Sequence, residues 1–190
     1  MLIDLNQFSW ADHYNQYLNL QERGLRKLAF IELDTFILEF QKQDKIARWR
    51  FIDYVNKVAR KTEEYNLYIP YSLFKNIFEP EINDWMSTDP KNPIPYKWSS
   101  DFNLLRRSVE LNPHDQDTLE IYYTRLINTV CMNQHEIEAG FGYNGNPERD
   151  LLLIKDGEQY IIHIEEYEKR SRVTERLDEL KKVTLSFIKR

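Results

Sequence analysis

The chain has 190 residues, of which 42% are apolar and 14% aromatic, and its formal net charge is −5. That length suits one domain with two lobes, and the acidic balance disfavours a general nucleic-acid coat. Five Gly residues are too few for the many tight turns of a sandwich or barrel, and a single cysteine, Cys131, excludes an internal disulfide.

The start, Met1-Leu2-Ile3-Asp4-Leu5-Asn6, has no basic region and no long apolar stretch, which argues against a signal peptide. Ser9 is the expected cap of a first helix, with Asp12 suiting its positive end and Tyr14, Tyr17, Leu18 and Leu20 on its apolar side. Gly24 breaks that run. A second helix follows with Leu25, Leu28, Ile31, Leu33, Phe36, Ile37 and Phe40, and so wide an apolar stripe predicts the most buried helix of the chain. Asp44 starts a third, in which Ile46, Trp49, Ile52, Val55 and Val58 recur every three residues, and it fades near Tyr65. Pro70 fits the first turn of a shorter helix through Phe78, which Pro80 stops or bends.

Prolines 90, 93 and 95 then forbid a helix over 89–97. This stretch is the expected connector between lobe 1 (1–88) and lobe 2 (98–190). The next helix spans Ser99 to Leu111, with Phe102, Leu105, Val109 and Leu111 inward. Asn112-Pro113 reads as cap and first residue of a helix to about residue 134, with Leu119, Tyr122, Leu126 and Val130 on one side. Gly140 to Gly145 ends a short element, and Asn146-Pro147 restarts a helix carrying Asp150, Leu151, Leu152 and Ile154. Residues 151–164 admit two readings: a hairpin turning at Asp156-Gly157, or two helices meeting at Gly157. The helices are preferred, because a lone hairpin is marginal and 165–189 is helical, with Val173, Leu177, Leu180 and Thr184 on one stripe.

The pairs Asn112-Pro113 and Asn146-Pro147 stand 34 residues apart, a period that suggests stacked helical pairs. Trp98 to Ile127 resembles a tetratricopeptide-type repeat. Leu104 to Pro113 looks like the second helix of such a repeat and its closing proline, with Leu105 at a bulky position, Ser108 at a small one, and Trp85 at the family's tryptophan position. The pattern departs where three prolines follow Trp85, where His135 and Gly142 replace two alanines, and where Tyr123 replaces a glycine. The segments around Gly24-Leu25-Arg26-Lys27, Asp89-Pro90-Lys91-Asn92-Pro93 and the Trp98 helix are also similar to a bacterial family of helical proteins with no known activity.

These resemblances imply an all-α, tetratricopeptide-like α-α bundle or short superhelix of about seven or eight helices in one domain. The repeat, with no recognisable catalytic set beside it, points to a non-catalytic protein-interaction module whose partner is an unidentified protein or peptide; the single cysteine suits a reducing cytoplasm, no run is long and apolar enough for a membrane span, and no cofactor is assigned. In such arrays the first helix of each pair lines a concave peptide surface. That places Asp117, Glu120, Thr124 and Asn128 as partner-binding residues, with Trp98 among the aromatic anchors beside Trp85 and Tyr96.

Two alternatives stand beside it. His135 with Glu138, and His163 with Glu166, share the i, i+3 spacing of a helix face, so a small enzyme or metal protein with an inter-lobe site near His135 and His163 is conceivable. No His-Glu-x-x-His motif supports it, and the polar-surface reading is preferred. Residues 42–61 hold seven Lys and Arg against two Asp, interleaved with Trp49, Phe51 and Tyr54, a nucleic-acid face in principle but more simply a solvated helix side. Cys131 reads as a buried inert thiol with no nearby base, and the 140–145 glycines as helix termination rather than a dinucleotide loop. No catalytic residue and no metal ligand is assigned.

Overall fold

The computed structural model describes residues 4, 6–62, 65–135, 137, 140 and 142–188, with Tyr65 by its backbone only. The fold is all-α: helices and their connections account for the described residues, and no strand occurs among them. The chain divides into two compact units, Met1–Trp98 and Ser99–Arg190. The boundary falls after Trp98, so residues 89–97 are part of the first unit rather than a connector between two lobes.

In the first unit, α1 (Asp12–Glu22) packs along α2 (Arg26–Gln41). Ser9 is exposed and does not cap α1; the residue at that position is Ala11, with no side-chain cap. Burial of Phe8 and Ala11, joined by the Ala11 N–H to Phe8 O bond of 2.9 Å, sets the entry of the chain instead. On α2, Ala29, Leu33, Phe36 and Phe40 are buried at spacings of four, three and four. Leu28, Ile31 and Leu38 lie on another face, 52–60% exposed. The wide stripe is therefore two stripes, of which neighbours cover one, and α2 is not the most buried helix.

That description fits α3 (Lys45–Arg60) better, whose buried set is Trp49, Phe51, Ile52, Val55, Asn56 and Ala59. Asp44 caps it, accepting from Ala47 N at 2.8 Å, while Ile46 in its first turn is exposed. The Phe51 ring lies within 6.4 Å, centroid to centroid, of Phe8, Trp10, Tyr14, Phe36, Phe40 and Phe78. Aromatic rings thus occupy the centre of a unit that has no sheet to organise it.

After the short α4 (Tyr65–Tyr68), Pro70 is extended before α5 (Tyr71–Leu73). A π turn at Phe74–Phe78 carries α5 into α6 (Glu79–Thr88), so Pro80 does not stop the helix. Glu79 N–H donates to Phe74 O, five residues back. The widened turn relieves the clash a proline ring makes with the carbonyl four residues behind it in an unbroken α-helix.

Residues Pro93–Lys97 form a one-turn helix, α7, despite prolines at 90, 93 and 95, which corrects the expectation of no helix over 89–97. Asn92 Oδ1 accepts from Ile94 N at 3.0 Å, and Pro93 and Pro95 occupy first-turn positions whose N–H groups have no intrahelical partner to lose.

The second unit is built on α9 (Gln116–Gln134), which packs against α8 (Phe102–Leu111), α10 (Pro147–Glu158) and α11 (Tyr167–Ile188). Asp101 caps α8 through Asn103 N at 2.7 Å. The two Asn-Pro pairs do different work. Asn146 caps α10, accepting from Arg149 N at 2.8 Å, with Pro147 as its first residue. Asn112 instead ends α8, and Asp115 caps α9 by accepting from Asp117 N and Thr118 N and from the Thr118 hydroxyl. A carboxylate three residues past the asparagine takes the orphan N–H groups, so Pro113 lies in the turn.

The hairpin is excluded, since α10 runs through 151–158 and a 3₁₀ turn at Ile161–His163 leads to α11. The two helices do not meet at Gly157, which is buried inside α10. A Cβ there would stand 2.9 Å from Leu126 Cδ1, and Tyr123 OH donates to Gly157 O at 2.9 Å. This glycine serves a close approach of α10 to α9 rather than a turn. Short pieces such as α4, α5 and α7 divide the chain more finely than the seven or eight helices expected. No helix among the described residues is long and apolar enough to cross a membrane.

Candidate functional site

A cleft of about 260 Å³ opens between α9 and α11 in the second unit. Helical spacing builds its near wall. Leu119, Tyr123 and Ile127 form the floor, and Glu120, Thr124 and Asn128 rise beside them, each set at intervals of four. Lys169 and Val173, one turn apart on α11, form the far wall, and buried Ile164 lies in the floor between.

One amide holds the end of the cleft together. Gln116 Nε2 donates to His114 O at 3.1 Å and to His163 O at 2.9 Å, while its Oε1 accepts from Glu165 N at 3.1 Å. The Lys169 ammonium pairs with the Glu120 carboxylate across the cleft. The Thr124 hydroxyl and the Asn128 amide are exposed and have no hydrogen-bond partner among the described residues. Burial raises the Tyr123 hydroxyl pKa, aided by Tyr160 and Asp156, so this group stays a neutral donor.

Three of the residues expected to bind a partner, Glu120, Thr124 and Asn128, line this cleft. Asp117 does not; it sits in the capped first turn of α9. Trp98 belongs to the first unit and is 5% exposed. Its indole N–H donates to Asp53 Oδ1 at 2.9 Å, and the Lys97 ammonium lies 5.1 Å from its ring centroid. Trp98 is therefore a packing residue, not an exposed anchor. Trp85 is buried as well, stacked on Trp49 with centroids 5.2 Å apart. Ile164, Lys169 and Val173, the far side of the cleft, were not singled out as site residues. Lys169 and Val173 were announced only as part of the helical run 165–189, and nothing in the sequence marked Ile164.

Both histidines of the alternative site fall in the second unit. His135 lines a separate hollow with Cys131, Gln134, Arg176 and Glu179. His163 does not line that hollow; its ring packs edge-on against His114 at 4.9 Å. Glu138 lies outside the described residues, and no group of three or more His, Cys, Asp or Glu is placed to hold a metal among the described residues. Cys131 is half-buried rather than buried, and Arg176 Nη2 donates to its Sγ at 3.1 Å, a neighbour 45 positions away that the sequence does not announce.

The basic run is largely paired. Lys42 meets Glu39, Lys45 meets Asp84, Arg48 meets Glu81 and Lys57 meets Asp53, all at 2.7–3.0 Å. Three of those four carboxylates lie outside 42–61, so the local excess of cations is much smaller in space than along the chain. No family model, curated protein or solved structure matches this chain.

Proposed function

We propose that the protein is a non-catalytic protein-interaction module of the cytoplasm, and that the α9–α11 cleft receives a short segment of a partner protein. The segment seats an apolar side chain on Leu119, Tyr123, Ile127 and Val173 and lays its main chain along Thr124 and Asn128. The observation that carries this reading is the pairing of an apolar floor with two polar rim groups that nothing inside the described chain engages. A hydroxyl and an amide can each donate and accept, which suits a peptide backbone. The resemblance of 98–127 to a tetratricopeptide-type repeat belongs to the same proposal, with α9 as the partner-facing helix.

The test compares proteins captured from the native host by the unmodified chain and by Thr124→Arg and Asn128→Arg, each shown by circular dichroism to be folded. A partner retained by the unmodified chain and lost by both variants is expected. Capture of the same proteins by all three, or of none at low and moderate salt, overturns the reading.

A further inference from the structure

Another hollow, of about 400 Å³, lies in the second unit between α8 and α10 and shares no residue with the α9–α11 cleft. Its volume falls within the range of small-molecule clefts. Phe102, with its ring stacked on Tyr122 at 5.2 Å, forms the α8 wall. Exposed Leu152 forms the α10 wall.

The charges around this hollow are unequal. Asp156 is its one carboxylate, and both oxygens are engaged: Oδ1 by Arg106 Nη2 at 3.1 Å and Oδ2 by the Tyr122 hydroxyl at 3.0 Å. Arg106 bridges the two helices through Asp156 and also meets Glu110 on its own helix at 3.3 Å, so this cation is shared by two carboxylates. Arg149 and Lys155 line the same hollow, both exposed, and neither has an acidic partner among the described residues. The hollow thus carries two cations without an acidic partner among the described residues, on a chain whose net charge is −5.

Their placement is specific. Arg149 and Lys155 stand three residues before and three after Leu152 on α10, so helical rise separates their Cα atoms by about 9 Å along the axis. A cation stands on either side of an apolar middle, and Phe102 lines the same hollow from α8.

We infer that this hollow is a binding site for an organic dianion: a small molecule with two acidic groups at opposite ends of an apolar, preferably planar, spacer. Arg149 takes one acidic group through its planar fork and Lys155 takes the other as a point charge. Phe102 and Leu152 cover the spacer. Carboxylate and phosphate ends share this chemistry, and the ligand needs both ends to use both cations.

The experiment is calorimetric titration of the full chain with biphenyl-4,4′-dicarboxylate, biphenyl-4-carboxylate and inorganic phosphate. The diacid should bind one per chain, about tenfold more tightly than the monoacid, and more weakly as salt rises. Arg149→Ala and Lys155→Ala should each reduce diacid affinity to the monoacid level. Arg107→Ala, which removes an exposed cation outside the hollow, should leave it unchanged. The inference is overturned if the diacid shows no saturable binding up to about 10 mM, well beyond ordinary ligand affinities. It is also overturned if the monoacid binds equally well, if inorganic phosphate displaces the diacid at equal concentration, or if Arg107→Ala weakens binding as much as Arg149→Ala.

Discussion

The first unit is centred on rings and the second on polar ties. Around Phe51, six aromatic side chains meet, one of them Tyr14, whose hydroxyl donates to the Tyr68 carbonyl. In the second unit, buried contacts are fixed by named donors and acceptors. Tyr122 donates to Asp156, Tyr123 to the Gly157 carbonyl, Asn133 and Tyr143 to Asp150, and Gln134 to Leu180 O and Thr184. Ring packing fills space through many weak contacts, whereas hydrogen bonds fix the distance and angle between particular groups. The cleft and the cationic hollow both lie in the second unit, where helices are held by such ties.

The two regions can be read separately, because Trp10, Trp49, Trp85 and Trp98, all four tryptophans of the chain, fall in the first unit. Tryptophan emission therefore follows the first unit, while far-ultraviolet circular dichroism follows both. The largest expected effect is that of Phe51→Ala. Phe51 is fully buried, and its loss should cost about 3–5 kcal/mol in urea unfolding monitored by tryptophan emission. A cost below about 1 kcal/mol would mean that the ring cluster is not the centre of the first unit.

Next, Asp150→Ala removes the acceptor of both Asn133 Nδ2 at 2.8 Å and Tyr143 OH at 2.6 Å. The expected cost is about 2–3 kcal/mol in dichroism, with the tryptophan transition unmoved. A matching shift in tryptophan emission would break the separation of the two regions.

Alkaline pH sharpens the comparison. Burial raises the hydroxyls of Tyr17 and Tyr143 to about 12, and for Tyr143 the bond to Asp150 adds to it. Tyr122, Tyr123 and Tyr160 are also shifted upward, chiefly by burial. The folded chain holds these protons more tightly than the unfolded chain, whose tyrosines titrate near 10. Their stabilisation is therefore complete below about pH 10 and is lost as pH rises through the folded values. Of the tyrosines named as shifted, Tyr122, Tyr123, Tyr143 and Tyr160 lie in the second unit, which should give way first. Dichroism and tyrosinate absorbance should change before tryptophan emission, and the reverse order would contradict the assignment.

A smaller effect is expected from Tyr123→Phe, which deletes the hydroxyl bond to Gly157 O at a cost of about 1 kcal/mol in thermal unfolding. The smallest belongs to Arg107→Ala. Its pair with Glu110 is exposed, and stability should stay within about 0.5 kcal/mol by the same measurement.

Much of the helical layout was legible in local chemistry. Asp44 and Asn146 cap where their side chains suit a helix start, and the stripe Leu119, Tyr122, Leu126 and Val130 is buried as its spacing implies. Errors arose where two local signals competed. Asp115 outcompeted Asn112-Pro113, the π turn absorbed Pro80, and the first-turn tolerance of proline allowed α7. Of the cleft, the α9 wall was legible from its spacing. The α11 wall was not, because Lys169 stands 49 residues from Glu120 and nothing local links them.

By itself, the sequence determined that the chain is helical, roughly where its helices lie, and which residues share a face, since these follow from periodicity, capping and backbone sterics. Tertiary structure alone decided which faces are covered. It buried one stripe of α2 and left the other exposed, folded Trp98 onto Asp53, and left Arg149 and Lys155 without an acidic partner among the described residues. The physical reason is that helical spacing orients side chains around their own axis, while the groups that meet them come from distant parts of the chain.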